Sequence, residues 1–106
     1  MVTMNEIKQF GRSIGTEFSA EKVILFGSYA RGATTQNSDV DLLVVASFNG
    51  TSVDKSVQIR MKLRPKFPVD ILVRTPEKIR QRLEMGDQFI KDILHQGKVL
   101  YEADNR

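Results

Sequence analysis

The residues best suited to chemistry lie between Gly27 and Asp41. Gly27 and Ser28 follow an apolar run at 23–26, and ten residues later Asp39 and Asp41 stand at the head of a second apolar run. A turn that begins with glycine lets backbone N–H groups approach a phosphate closely, and a serine hydroxyl adds a hydrogen bond. Side chains two apart on a strand share a face and lie about 7 Å apart along it, so both carboxylates can converge on a hard cation. The stretch predicts a phosphate-binding turn beside a Mg²⁺ site.

A third carboxylate, Asp70, interrupts the apolar run at 67–73. An ionised group there is costly unless it is paired. If this strand lies beside the one that carries Asp39 and Asp41, three acids meet, and bound cations must offset their repulsion. The sequence leaves that adjacency open. Taken singly, the Gly-Ser pair also suits an ordinary turn, and Asp-x-Asp the solvated face of an edge strand.

Four apolar runs are predicted to be strands, at 23–26, 39–46, 67–73 and 99–101. Before them, Thr3 and Glu6 have the spacing of a capping box, and apolar residues follow at helical intervals. A first helix is therefore predicted to run to about Phe18. Thr75 and Pro76 predict the start of a later helix with a break near Gly86, and Asp87 the start of another, which Gly97 ends.

The segment at 53–63 is ambiguous on periodicity. Val53 and Val57 suit a helix, whereas Val57, Ile59, Met61 and Leu63 alternate as in a strand. Side chains expected to pack in the core are the following: Phe10, Phe18, Phe26, Tyr29, Phe67 and Phe89. His95, the single histidine, is expected to have a structural place in the last turn of its helix.

Length and composition limit the number of domains, the kinds of metal ligand and the contact with membranes that can be expected. The 106 residues suit one domain, 1–106, that folds without disulfides, and the absence of cysteine leaves oxygen ligands for any metal. The chain shows no signal peptide, and its apolar runs are far shorter than the roughly 20 residues that a membrane span needs. A cytoplasmic protein without membrane contact is predicted.

The net charge is +3, and five of the basic residues crowd into the segment 55–66: Lys55, Arg60, Lys62, Arg64 and Lys66. Such a cluster suits the solvated face of a helix, an acidic protein partner or a triphosphate. No aromatic residues are interleaved with these cations as they are in single-strand binders, so direct nucleic-acid binding is not predicted.

The chain resembles the minimal nucleotidyltransferases (MNT domains) of the DNA polymerase β superfamily. Gly27-Ser28, the ten-residue spacer and Asp39-Val40-Asp41 match the signature of that family, and Asp70 matches its third acid. The residues at 87–90 and 93–101 are similar to the usual close of such proteins, so the resemblance spans about 23–102. It implies an α/β (α+β) fold: a small mixed sheet of about four strands flanked by helices, with a helix at 53–63.

The resemblance also implies a reaction, transfer of AMP from ATP to a hydroxyl group. Asp39, Asp41 and Asp70 would be the catalytic and metal-binding residues, holding two Mg²⁺ ions, with Asp70 completing the acceptor side and able to take the proton. Gly27 and Ser28 would hold the phosphates. Arg31 would either steady the phosphates or pair with a carboxylate to brace the turn.

MNT proteins of this size resemble the antitoxin half of two-gene systems whose partner is a HEPN-domain toxin encoded by a neighbouring gene. The resemblance implies that the chain adds AMP to a tyrosine of that toxin. Two alternatives remain open. One is a non-catalytic antitoxin that neutralises its partner by binding through the basic segment; the other is the catalytic subunit of a two-protein enzyme that modifies small molecules.

Overall fold

A computed structural model describes residues 2–104, and within them the chain forms five helices and four strands. The helices are α1 (Met4–Glu17), α2 (Ser28–Arg31), α3 (Ser52–Leu63), α4 (Pro76–Glu84) and α5 (Gln88–Gln96). The strands are β1 (Lys22–Phe26), β2 (Val40–Val45), β3 (Val69–Arg74) and β4 (Lys98–Glu102). Among residues 2–104, no helix is both long and apolar enough to cross a membrane.

The four strands form one mixed sheet in the order β3-β2-β1-β4. β1 runs antiparallel to β2 and to β4, whereas β2 and β3 are parallel and are joined through α3. Parallel neighbours need such a crossover, because a short hairpin cannot return the chain to the same end of the sheet. The mixed sheet flanked by helices confirms the predicted fold class.

Helices cover both faces of the sheet. On one face, α1 and α3 place Ile7, Ile14 and Ile59 against alternate strand residues, including Leu42 and Val44. On the opposite face, α4 and α5 pack Ile79, Ile90 and Ile93 against the intervening strand residues Ile24, Leu43 and Val45. Asp41 has the parity of Leu43 and Val45, so it lies on the face covered by α4 and α5.

The helices begin where the sequence predicts. The Thr3 hydroxyl accepts from the Glu6 N–H at 3.2 Å, and a Glu6 carboxylate oxygen accepts from the Thr3 N–H at 3.1 Å, which completes the capping box of α1. Thr75 and Asp87 cap α4 and α5 in the predicted way. Gly86, with φ of +80°, breaks the chain between these two helices.

The ambiguous segment is the helix α3. Thr51 caps it by accepting from the Asp54 N–H at 3.1 Å, and Ile59 is fully buried. The alternation of Val57, Ile59, Met61 and Leu63 is misleading, because Met61 is 71% exposed. The segment is helical because it must span the crossover between two parallel strands.

One core prediction is wrong. Phe10 is buried, and Phe18, Phe26 and Phe67 are partly buried against the two cores, but Phe89 is 53% exposed. On α5, Ile90 and Ile93 occupy the inward positions, and Phe89 lies on the flank of the helix. The apolar face of α5 is wider than the area in contact with the sheet, so Phe89 at its margin remains exposed.

α1 lies unusually close to the last strand. A side-chain carbon built on Gly15 would overlap the ring of Tyr101, and one built on Gly11 would lie 2.7 Å from Cδ1 of Leu100. Glycine at these two positions, one helical turn apart, therefore permits the close approach of α1 to β4.

Candidate active site

Asp41 and Asp70 lie directly opposite each other on neighbouring parallel strands. Asp41 of β2 pairs in register with Asp70 of β3 and, on its other side, with Phe26 at the end of β1. Residues in register on adjacent strands project from the same face, so both carboxylates lie on the face covered by α4 and α5. The sequence left the adjacency of these two strands open, and the structure shows that they are neighbours.

Asp39 immediately precedes Val40, the first residue of β2, two positions before Asp41. Asp39 and Asp70 are exposed, whereas Asp41 is half-buried. Burial raises the pKa of the Asp41 carboxyl above its ordinary value; the negative charges of Asp70 and Asp39 raise it further, and the Arg31 guanidinium opposes the shift. Asp41 is therefore the point at which the charges of all three acids act together.

The Gly27 turn lies against this acidic site. Gly27 has φ of +75° and ψ of −154°, a combination that is essentially restricted to glycine. A side-chain carbon at this position would overlap Oδ2 of Asp41. The Gly27 carbonyl accepts from the N–H groups of Ala30 and Arg31 at 3.1 and 3.2 Å, and the half-buried Ser28 begins α2. The sheet thus brings the turn and the acids together.

The donor set of the three acids suits a hard divalent cation, because it consists of carboxylate oxygens. Burial is the largest cause of the raised pKa of Asp41, and the negative charges of Asp70 and Asp39, which a cation would offset, raise it further. Among residues 2–104, however, no three acidic, histidine or cysteine side chains converge closely enough to form a ready-made metal cluster. Coordination of one ion by all three acids stays a prediction.

Other candidate residues have clear positions. Tyr29 is buried in the core, which confirms the packing role predicted for it. His95 lies in the last turn of α5, the position predicted for it. The exposed Arg31 lies near enough to Asp41 to lower its pKa, yet the ion pairs found between described residues do not include it. Its role toward a phosphate stays a prediction.

Much of the basic segment is engaged within the fold. Arg60 donates to the Val69 carbonyl, Lys62 pairs with Glu17 at 3.3 Å, and the Lys55 ammonium lies 5.1 Å from the centre of the Phe18 ring. These contacts fit the solvated helix face better than a surface of free cations. They weaken the alternative in which the basic segment alone recognises a partner.

The sequence analysis missed a cavity of about 270 Å³ that opens beside Gly27, between α2 and α5. This α2–α5 cavity is lined by residues that include Phe26, Arg31, Phe89, Asp92 and Gln96. Two features of the sequence could have indicated this cavity. Asp92 and Gln96 are polar and four residues apart, so they lie on one side of α5. Phe89, near the start of the same helix, adds an aromatic side chain to the lining.

Comparisons with known proteins agree with this geometry. A model of the family described as polymerase beta, nucleotidyltransferase matches residues 6–106. A candidate protein adenylyltransferase of Methanocaldococcus jannaschii is 34% identical over 105 residues, which cover 92% of this chain and 100% of that protein.

Two crystal structures share the fold. A candidate nucleotidyltransferase from Sulfolobus solfataricus superposes with a TM-score of 0.64 at 20% identity, covering 95% of this chain and 81% of that chain. A toxin-antitoxin structure with AMP-PNP gives a TM-score of 0.62 at 23% identity, covering 95% of this chain and 76% of that chain. Sequence, fold and site agree, and the chain belongs to the polymerase β nucleotidyltransferase family.

Proposed function

We propose that the protein transfers AMP from ATP to a tyrosine hydroxyl of a partner protein, a HEPN-type toxin that it silences as an antitoxin. The observation that carries this proposal is the in-register pair Asp41–Asp70 beside the Gly27 turn. A phosphate-binding turn against paired carboxylates is the arrangement that nucleotidyl transfer requires, because the reaction depends on positioning and on charge stabilisation.

The reaction balances with the groups of this site. The acceptor oxygen attacks the α-phosphorus of ATP, the bond from that phosphorus to the bridging oxygen breaks, and pyrophosphate leaves. The proton of the acceptor hydroxyl passes to the carboxylate of Asp70, which is exposed and able to reach an incoming acceptor. Gly27 and Ser28 hold the β- and γ-phosphates, and Arg31 steadies them, so that the leaving group departs in line.

Asp39, Asp41 and Asp70 are the residues that would hold Mg²⁺, as two ions. When bound, Mg²⁺ lowers the pKa of the acceptor hydroxyl and neutralises charge that develops on the phosphates. The electrostatic strain at Asp41 supports this assignment, since a carboxylate disfavoured by burial and by two like charges gains most from a nearby cation.

The choice of a protein acceptor rests on the relatives. The Methanocaldococcus jannaschii relative, matched over its whole length, is named for adenylyl transfer to proteins, and a structural neighbour is a toxin-antitoxin complex. Both favour a protein hydroxyl over a small molecule. Tyrosine is preferred among protein hydroxyls because its pKa, about 10, makes its oxygen the easiest to ionise beside a cation.

The test is intact-mass spectrometry of the protein encoded by the neighbouring gene, after incubation with this chain, ATP and Mg²⁺. Mass gains in whole AMP units on a tyrosine are expected, and Asp41→Asn should abolish them. Asp54→Asn is the matched control, because Asp54 is an exposed acid on α3, away from the site. A stable complex without any mass gain would contradict the proposal and favour neutralisation by binding alone.

A further inference from the structure

We propose that the α2–α5 cavity receives the adenine base of the nucleotide, with the Phe89 ring as its stacking surface and Asp92 as the acceptor for its amino group. This inference rests on the proposed nucleotide transfer and deepens it, because it names residues that select the nucleotide. Its position follows from Gly27, which borders both the acidic site and the cavity. A nucleotide whose phosphates lie at the Gly27 turn can extend its base into the cavity.

The size of the cavity suits part of a nucleotide. Pockets that enclose whole small molecules measure about 300–1,000 Å³, and this one measures about 270 Å³. A complete nucleoside triphosphate exceeds that space, whereas a base with some of its ribose fits. The triphosphate must then lie outside, on the polar surface formed by Gly27, Ser28 and the acids.

The α5 side of the lining suits a base and opposes a phosphate. Phe26, Ala30, Phe89 and Ile93 supply apolar surface, and the carboxylate of Asp92 on α5 would repel a phosphate. Among the described residues that line the cavity, the one cation is Arg31, which acts on Asp41 and so belongs to the side of the cavity where the phosphates are placed. Aromatic and apolar walls with a few polar groups are the usual composition of a site that binds a flat heterocycle.

Phe89 has the properties of a stacking residue. The residue is 53% exposed, so part of its surface is free to meet a ligand. The ring is also held in place, because it packs edge-to-face against Phe26 with centroids 5.7 Å apart and an interplanar angle of 85°. A ring that is both exposed and fixed loses little conformational entropy when a base stacks on it.

Asp92 and Gln96 provide polar groups on one side of α5. One oxygen of Asp92, Oδ1, accepts from Gln88 Nε2 at 2.8 Å, which orients the carboxylate and leaves lone pairs of the other oxygen for a ligand. An ionised carboxylate only accepts, so it suits the exocyclic amino group of adenine. Gln96 carries both a donor and an acceptor, the combination that pairs with the N6 and N7 atoms of adenine.

The experiment compares calorimetric binding of ATP and of inorganic tripolyphosphate, both with Mg²⁺. The unmodified protein is expected to bind ATP more tightly. Phe89→Ala should weaken ATP binding by about 5- to 150-fold, the usual range for loss of base stacking, and leave tripolyphosphate binding unchanged. Phe89→Trp should restore ATP binding. Met61→Ala, which truncates a 71% exposed side chain on α3, is the control and should change neither.

The outcomes separate this inference from the proposed function. If the protein binds neither ligand, nucleotide transfer itself fails. If it binds tripolyphosphate as tightly as ATP, or if Phe89→Ala leaves ATP binding unchanged, the phosphate site stands and the base site is wrong. Circular dichroism of Phe89→Ala should match that of the unmodified protein, which shows that the variant is folded. If Phe89→Ala does not fold, the Phe89→Trp variant tests the inference instead, since it should bind ATP.

A second measurement tests Asp92. The unmodified protein is expected to prefer ATP over purine riboside triphosphate, which lacks the amino group, and Asp92→Ala should remove that preference. Equal binding of the two nucleotides by the unmodified protein would overturn the role assigned to Asp92.

Discussion

Gly27 leaves the space that Oδ2 of Asp41 occupies. A side-chain carbon at position 27 would overlap that oxygen and would lie 3.2 Å from Asp41 Cγ. The backbone of the turn therefore packs directly against the half-buried carboxylate, and a substitution at either position should alter the packing of the other.

Gly27→Ala is expected to damage both stability and nucleotide binding. The substitution forces an L-residue into a backbone region that costs about 1–3 kcal/mol, and it also pushes the methyl group into Asp41. Thermal unfolding and ATP titration would measure the two effects. ATP binding by the folded variant at the unmodified strength would contradict the phosphate-binding role of the turn.

Two further variants make that experiment specific. Gly32→Ala has a positive φ, +72°, but its new methyl group meets nothing within 4 Å, so it should lose about 1–2 kcal/mol of stability and keep nucleotide binding. Gly27→Ala should cost less stability in an Asp41→Ala background than in the unmodified protein. Equal costs in the two backgrounds would show that overlap with Asp41 is not the cause of the damage.

Asp41→Asn should abolish AMP transfer and raise thermal stability in EDTA. The substitution removes a carboxylate that burial and the charges of Asp70 and Asp39 disfavour in the folded state. Activity should fall by more than about 100-fold, because loss of even an outer partner of a metal ligand costs 10- to 100-fold. Mg²⁺ should raise the melting temperature of the unmodified protein more than that of the variant; equal shifts would contradict metal binding at Asp41.

The stability that Asp87 gives to α5 should depend on pH. Its carboxylate accepts from Arg82 Nε at 2.8 Å and from the Ile90 N–H at 3.2 Å, and these bonds hold the pKa of Asp87 below its ordinary 3.8. A lowered folded pKa means that the stabilisation is complete above the unfolded pKa and is lost as pH falls through the folded value.

Melting temperatures of the unmodified protein and of Asp87→Ala should therefore differ at pH 7 and converge below about pH 4. Thr75→Ala is the matched control. Thr75 caps α4 by accepting from the Lys78 N–H at 3.1 Å, and its hydroxyl does not titrate in this range. A deficit for Asp87→Ala that stays constant with pH, like that of Thr75→Ala, would rule out the charge-dependent cap.

Gly15→Ala is expected to destabilise the protein, although alanine is the better helix former by roughly 0.5–1 kcal/mol. The new methyl group would overlap the Tyr101 ring, and overpacking of this kind costs about 1–3 kcal/mol. Urea unfolding measures the change. Combining Gly15→Ala with Tyr101→Ala should remove most of the interaction; an unchanged deficit would show that the close approach of α1 to β4 is not responsible.

Local signals in the sequence predict most of the elements. The helix starts could be predicted because each capping side chain bonds a backbone N–H only three residues ahead in the sequence. The capping residues are Thr3, Thr75 and Asp87. The segment 53–63 is different, because its periodicity fits two structures. Only the parallel pairing of its flanking strands decides for α3.

Only the part of the site that lies within one continuous stretch of sequence could be predicted. The spacing from Gly27 to Asp41 lies within one stretch of chain, but the pairing of Asp41 with Asp70 depends on strand order and register, which long-range packing sets. The cavity escaped prediction for a similar reason. Phe89 looks like a core residue until the sheet fixes which side of α5 faces inward.

The position of β4 has a consequence for biosynthesis. The last strand of the sheet pairs with the first, Lys22 with Glu102 and Leu25 with Lys98, so β1 keeps an open edge until the ribosome has released the chain through β4. Such an edge invites pairing with other chains and attack by proteases. A product terminated before Lys98 should therefore be cleared rather than accumulate.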